Sequence, residues 1–287
     1  MNNSAELAVH MLLSNLRDGK TSMSETTVDQ ITRDVRESLL RQFSGEGQQK
    51  FRLRASNVGQ DYCQLWFKKN HPEKATPLPD TFLFNMVLGD FVEAVFKGLL
   101  TEAKVDYEDA EELSLKLTDT VTIKGTTDLS IDGAVDDVKS ASPWSYTNKF
   151  ASFDKLQASD PFGYVGQLAV YSKGLSKKVG GWWVVNKANG QFKYVPADSM
   201  DLDKEVSKLE DTATELEANE FRRCYEPEEE KFRGKPTGNI VLNSACKFCD
   251  FKHSCWEGLD TRPSIPSQAK FPADVDYIYI KEEDTNA

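Results

Sequence analysis

Residues 121–140 read VTIKGTTDLSIDGAVDDVKS. Two β-rich runs, 121–131 and 134–140, flank Asp132-Gly133. An Asp-Gly pair between such runs is a strong signal for a two-residue hairpin turn. With that loop, Ile131 pairs with Ala134, and counting back along both strands sets Asp128 opposite Asp137. Like charges directly opposite each other on a sheet are unfavourable, and a divalent cation held by the carboxylate oxygens removes the penalty. Lys139, two residues past Asp137, projects from the same face of its strand. Two carboxylates and one ammonium in one small area suit Mg2+ or Mn2+, which would polarise a phosphodiester and lower the pKa of bound water. The competing reading is a solvated hairpin face with scattered charges.

Outward from the hairpin, the pattern alternates helices and strands. After Pro77 and Pro79, residues 81–102 read as a helix carrying Glu93 among Met86, Gly89 and Phe96. A carboxylate among apolar groups is costly unless paired or metal-bound, and Gly89 lets another backbone approach closely. The alternative is an i,i+4 ion pair with Lys97. Asp160-Pro161 is expected to open a second helix, with Asp160 as N-cap and Pro161 at the first helical position. This helix is expected to run to about Ser172 and end at Gly174. Gln167 and Tyr171, four apart, share a face of it, and the bland alternative is an ordinary half-buried boundary. Strands at 181–185 and 191–195 follow around Asn189-Gly190, then a helix at 201–219 with Leu202, Val206, Leu209 and Leu216 on one side. Residues 1–50 read as polar and helical, with Val28, Ile31, Val35 and Leu39 at helical spacing before a break at 44–47. This order predicts an α/β protein with a mixed sheet flanked by helices. Residues 263–287, with Pro263, Pro266, Pro272 and an acidic end, read as a poorly packed tail.

The chain has 287 residues and a formal net charge of −11, so nucleic-acid contact must use a local basic surface rather than overall charge. Arg52 and Arg54, Lys68 and Lys69, Lys177 and Lys178, Arg222 and Arg223, and Lys231, Arg233 and Lys235 offer such groups. Lys149 and Lys155 do so among Trp144, Tyr146 and Phe150. Aromatic residues beside basic ones suit stacking on single-stranded DNA; the bland reading is solvated faces and core aromatics. No apolar run is long enough to span a bilayer and no secretory signal is legible, so a soluble, cytoplasmic protein is expected. Of the five cysteines, Cys246, Cys249 and Cys255 cluster late, which suggests a metal or cluster rather than disulfides; Cys63 and Cys224 stand apart in the sequence. A zinc site would usually show a second Cys-x-x-Cys or a His pair, and only His253 is close.

Four motifs now stand in one order: Gly89-x-x-x-Glu93, Gly125-x-x-Asp128, Asp137-x-Lys139 and Gln167-x-x-x-Tyr171. Together they resemble the PD-(D/E)XK nuclease superfamily, in its RecB-type exonuclease branch. The stretches 139–143 and 163–167 are similar to phage-encoded members. The resemblance implies a restriction-endonuclease-like core and a Mg2+- or Mn2+-dependent deoxyribonuclease, an exonuclease more than an endonuclease. It implies metal ligation by Glu93, Asp128, Asp137 and the carbonyl of Val138, activation of water by Lys139, and support from Gln167 and Tyr171. Glu93 stands where many relatives have His, and Asp137 where Glu is commoner. The chain also resembles the CRISPR-associated and AddB-type iron–sulfur exonucleases, which implies a [4Fe–4S] cluster on Cys63, Cys246, Cys249 and Cys255, with zinc as the alternative. Cys224 could replace Cys63 or be a plain buried thiol. The implied domains are 1–50 (helical), 51–262 (nuclease with cysteine cluster) and 263–287 (tail). The implied partners are DNA, single-stranded or with free ends, and recombination or CRISPR-adaptation proteins, in a host cytoplasm if the chain is phage-encoded. Two other readings compete: a non-catalytic DNA-binding or assembly subunit, and a zinc-stabilised interaction protein.

Overall fold

The computed structural model describes residues 3–44 and 51–281. In chain order the helices are α1 (Asn3–Arg17), α2 (Glu25–Gln42), α3 (Tyr62–Asn70), α4 (Thr81–Glu102), α5 (Pro143–Thr147), α6 (Phe153–Ala158), α7 (Tyr164–Leu175), α8 (Leu202–Ala218) and α9 (Lys252–Cys255). The strands are β1 (Glu112–Lys116), β2 (Thr122–Thr126), β3 (Leu129–Ile131), β4 (Ala134–Ala141), β5 (Lys178–Asn186), β6 (Phe192–Pro196), β7 (Glu228–Phe232), β8 (Lys235–Val241), β9 (Asp260–Pro263) and β10 (Asp274–Tyr279). They form two compact units, one from Met1–Gly59 with Pro79–Thr214, the other from Gln60–Leu78 with Glu215–Ala287. Both units therefore draw on two stretches of chain, which differs from the expected consecutive blocks 1–50, 51–262 and 263–287.

The first unit is an α/β fold around a mixed sheet in the order β3-β4-β5-β6. β3–β4 and β5–β6 are antiparallel and β4–β5 parallel. Strand alternation divides the side chains between two cores. On one face Val135, Ala141, Trp182 and Val184 pack with Leu168, Ala169 and Val170 of α7 and with Leu113 and Ile123 of the β1–β2 hairpin. On the other, Val138, Trp183 and Phe192 pack with Ala5 and Val9 of α1 and with Phe96 and Leu100 of α4. Ile31 of α2 meets α4 at Gly98, where a Cβ would come 2.4 Å from its Cδ1. Val28 and Leu39, expected on the packed stripe of α2, remain exposed.

Three expectations need correcting in this unit. The run 121–131 is not one strand: β2 pairs with β1, and β3 belongs to the main sheet. Thr127 clips the break, its N–H donating to the Glu111 carbonyl and its Oγ1 accepting from the Glu111 N–H, both at 3.0 Å. The 160s helix begins at Tyr164 rather than Pro161, because Gly163 at φ 77° turns the chain in the left-handed region. Asp160 still serves the helix, accepting from the Val165 N–H at 2.8 Å. That helix passes through Gly174 to Leu175 and ends at Ser176, with φ 54°; Gly174 is there because Leu113 packs against it.

The second unit holds a four-stranded antiparallel sheet, β7-β8-β10-β9. The expected loose tail supplies β10, an inner strand of that sheet, while 282–287 lie outside the described residues. Tyr277 of β10 is buried and donates its hydroxyl to Glu230 Oε1 at 2.9 Å. Glu230 Oε2 in turn accepts from Thr237 Oγ1 and Asn239 Nδ2, each at 2.8 Å. Asp276 receives Lys252 Nζ at 2.7 and 2.9 Å. Buried polar groups satisfied in this way fix a strand that its proline-rich surroundings concealed. Among the described residues, no helix is long and apolar enough to cross a membrane.

Candidate active site and cysteine cluster

The hairpin register is the one the turn dictates: Ile131 opposes Ala134 and Leu129 opposes Asp136. One step further along, Asp128 faces Asp137, and its Oδ2 accepts from the Val138 N–H at 2.8 Å. Asp137 is 1% exposed, and neither of its oxygens accepts a well-formed hydrogen bond. Lys139 Nζ is in ion contact with Asp137 Oδ2 at 2.6 Å, and the Asp128 carboxyl is a second close neighbour. Burial, and then the charge of Asp128, push the Asp137 carboxyl up to about 8, against the opposing pull of Lys139. Burial alone would lower the Lys139 ammonium, but Asp137 and Asp128 outweigh it and hold it above its ordinary value.

Helices on either side complete the set. Glu93, from α4, is pushed up to about 7 by burial and then by the charge of Asp128. It also lies 3.7 Å from Lys97, which pairs at 2.5 Å with Asp109. Glu93 therefore feels the carboxylate centre while making the expected i,i+4 contact. From α7, Gln167 Nε2 donates to the Tyr171 hydroxyl at 2.8 Å. Tyr171 is buried, and its pKa is raised by that burial and then by Asp137 and Asp128. Glu93, Asp128, Asp137, Lys139 and Tyr171 are thus electrostatic neighbours, with Gln167 bonded to Tyr171. Among the described residues, no three His, Cys, Asp or Glu side chains stand close enough to enclose an ion. The arrangement nevertheless fits a cation in one respect: two facing carboxylates, one of them buried, share a single ammonium, Lys139, which leaves an excess of negative charge that a cation would offset.

Two features escaped sequence reasoning. Asp136, beside Asp137, points to the opposite face and is fully buried. It accepts from the Gly181 N–H at 2.9 Å, Tyr194 OH at 2.8 Å and Trp183 Nε1 at 3.3 Å. The Asp-Asp dipeptide signalled that one carboxylate must face the other core, because neighbours on a strand point opposite ways. Tyr164 is the second: Lys139 Nζ lies 5.1 Å and Lys149 Nζ 4.9 Å from its ring centre. Lys149 is itself buried, 3.8 Å from Asp160.

All five cysteines lie in the second unit, and all are free thiols. Cys224, the unassigned one, sits beside Cys63, whose backbone N–H points to its Sγ at 3.1 Å. Their mutual hydrogen bond raises Cys63 and lowers Cys224. Burial, then the nearby cysteines, push Cys246 up to about 12. Burial and neighbouring charge push Cys249 up to about 11. The Cys255 thiol is also raised by burial, with Cys224 among its neighbours. Electrostatic coupling thus links Cys63 with Cys224, and Cys246 with Cys249, Cys255 and Cys224, although among the described residues no three of these side chains stand close enough to hold a metal ion.

No protein-family model matches this chain. No curated protein matches it either. A solved structure described as "Crystal structure of SSO0001" aligns with 80% of this chain and 96% of its own length, at 12% identity and a TM-score of 0.39, a likeness too slight to carry an argument.

Proposed function

We propose that this chain is a divalent-metal-dependent deoxyribonuclease with a PD-(D/E)XK-type site. The observation that carries the reading is Asp137: a buried carboxylate opposite Asp128, in ion contact with Lys139 and with no other well-formed hydrogen bond to its oxygens. Asp128, Asp137, Glu93 and the Val138 carbonyl would hold Mg2+ or Mn2+. When bound, such an ion acts as a Lewis acid on a phosphodiester and lowers the pKa of bound water. The chain's own groups do the positioning. Lys139 places a fixed positive charge where the attacking water and the phosphate meet. Tyr171, anchored by Gln167, walls the site on the α7 side. Chemistry of this kind depends on positioning and charge stabilisation. The alternative, a non-catalytic DNA-binding subunit that keeps the fold, is separated from this reading by a nuclease assay with and without metal.

The thiols of Cys63, Cys246, Cys249 and Cys255, with Cys224 alongside, are the donor set for a [4Fe–4S] cluster, which four thiolates suffice to hold. Zinc, whose sites usually show a second Cys-x-x-Cys or a His pair where this chain offers only His253 nearby, is the alternative. Anaerobically purified protein is expected to be coloured and to contain iron; colourless, zinc-loaded protein would reverse this assignment.

The test of the nuclease reading is digestion of end-labelled single- and double-stranded DNA with Mg2+ or Mn2+. Lys139→Ala and Asp128→Ala are each expected to lower the rate by at least about a hundredfold, as removal of one transition-state stabiliser does, with the fold retained. Wild-type cleavage by purified Lys139→Ala protein would sink the assignment. The product ladder distinguishes attack from an end from internal cutting.

A further inference from the structure

We infer that an open groove between residues 51–54 and the β1–β2 hairpin is the track along which a single nucleic-acid strand reaches the carboxylate site; the inference rests on the nuclease reading above. The groove encloses about 860 Å³. Its first wall is a segment outside the named strands and helices in which Arg52 and Arg54 are exposed, with half-buried Leu53 between them. Asn57 braces this wall. Its Oδ1 accepts from the Arg54 N–H at 2.8 Å and its Nδ2 donates to the Arg52 carbonyl at 3.0 Å. The Ala55 N–H joins the wall to β2 through the Lys124 carbonyl at 3.3 Å. Lys124 is exposed because its neighbour Ile123 fills the core. Arg52, Arg54 and Lys124 therefore line the groove against one carboxylate, Glu112, on a chain whose net charge is −11. Local cationic character on an acidic molecule is what phosphate recognition requires.

The groove borders the elements that carry the site. Gly125 lines it and packs on Ala55 and Tyr171, since a Cβ there would come 2.6 Å from Ala55 Cβ and 3.1 Å from Tyr171 Cε1. β2 ends at Thr126, two residues before Asp128. Phe51 and Val121 add apolar surface of the kind on which unpaired bases rest. The site itself is sunken, with the Asp137 side chain 1% and that of Lys139 17% exposed. A flexible single strand can bring a phosphate to such a depth, whereas a base-paired duplex is held off by its own width.

The experiment is fluorescence anisotropy of a labelled oligothymidylate with the full chain in EDTA, across a salt series. Wild-type protein is expected to bind the single strand more tightly than a blunt duplex. The doubly reversed Arg52→Glu/Lys124→Glu protein is expected to bind at least about tenfold more weakly. Its salt slope should be shallower by about 1.4, or about 0.7 for each phosphate no longer neutralised. Lys204→Glu, an exposed change on α8, should bind as wild type, and unchanged melting temperatures exclude misfolding. Binding by the doubly reversed protein at wild-type strength, absence of single-strand binding by wild type, or equal preference for duplex each overturns the inference. Because binding is read without metal, wild-type protein that binds but never cleaves defeats the nuclease reading alone. Wild-type cleavage with undiminished binding by the reversed protein defeats the groove alone.

Discussion

Asp136 and Asp137 are chemically identical neighbours with opposite tasks, and the difference lies in which face of β4 each occupies. Asp136 has three donors in the apolar core: an N–H, an indole and a phenol. Asp136→Ala strands all three, and at about 1–3 kcal/mol for each buried group left unpaired the variant should lose several kcal/mol of stability, read as a large fall in melting temperature. Asp137→Asn should abolish metal-dependent cleavage, and in metal-free protein it leaves the Lys139 ammonium without its ion contact. The pH dependence follows with a definite sign. The folded-state value of Asp137, about 8, lies above its ordinary 3.8, so folding favours the protonated form. The stability held in that proton is complete below about pH 4 and is lost as pH rises towards 8. In EDTA, melting temperature should therefore decline across that window, and Asp137→Asn should decline less steeply. An identical slope in both proteins contradicts the assignment.

At the scale of elements, the hairpin was legible because its signal is local: the Asp132-Gly133 turn and the register need no knowledge of the rest of the chain. The β4–β5 junction was not. There Asp136 is paired with Gly181 instead of Gly180, so Gly180 is the extra residue of a bulge. A Cβ on Gly180 would sit 2.1 Å from Asp136 Oδ1 and 2.5 Å from the Val135 carbonyl oxygen. Nothing near Gly180 in the sequence announces a partner more than forty residues earlier. Gly180→Ala must push the two parallel strands apart, and overpacking of this kind costs about 1–3 kcal/mol. Chemical denaturation should show that loss together with impaired cleavage, since β4 carries Asp137 and Lys139. The start of α7 escaped for a similar reason. Asp160-Pro161 looks like a helix opening, but Gly163 in the left-handed region delays it, and only the close packing of that backbone on Gly59 explains why. Gln167 and Tyr171 were legible because they lie well inside the helix, where a shifted start leaves their spacing intact.

For the whole molecule, the largest departure from the sequence pattern is the C-terminal region, where proline and acidic residues suggested a tail. Composition reports average burial, whereas β10 depends on a few long-range bonds. Tyr277 reaches Glu230, Asp276 holds Lys252, and the Lys281 N–H donates to Asn239 Oδ1 at 3.0 Å. These partners lie in β7, β8 and α9, so β10 is tied to the element that ends at Cys255. A chain truncated after Leu259 loses β9 and β10 and leaves β8 with an unpaired edge. It also leaves the Glu230 carboxylate and the Lys252 ammonium without Tyr277 and Asp276. The second unit should then fail to fold, and with it the surroundings of Cys255, because α9 loses the Asp276 partner of Lys252. On the proposed iron–sulfur reading, the expected outcome is truncated protein without bound iron and with rapid hydrogen exchange throughout residues 215–259, beside full-length controls that keep both iron and exchange protection. Restoring residues 260–281 should recover them, since these residues carry the bonds described above. A truncated protein that keeps its iron and its exchange protection would return the region to the status of a dispensable tail.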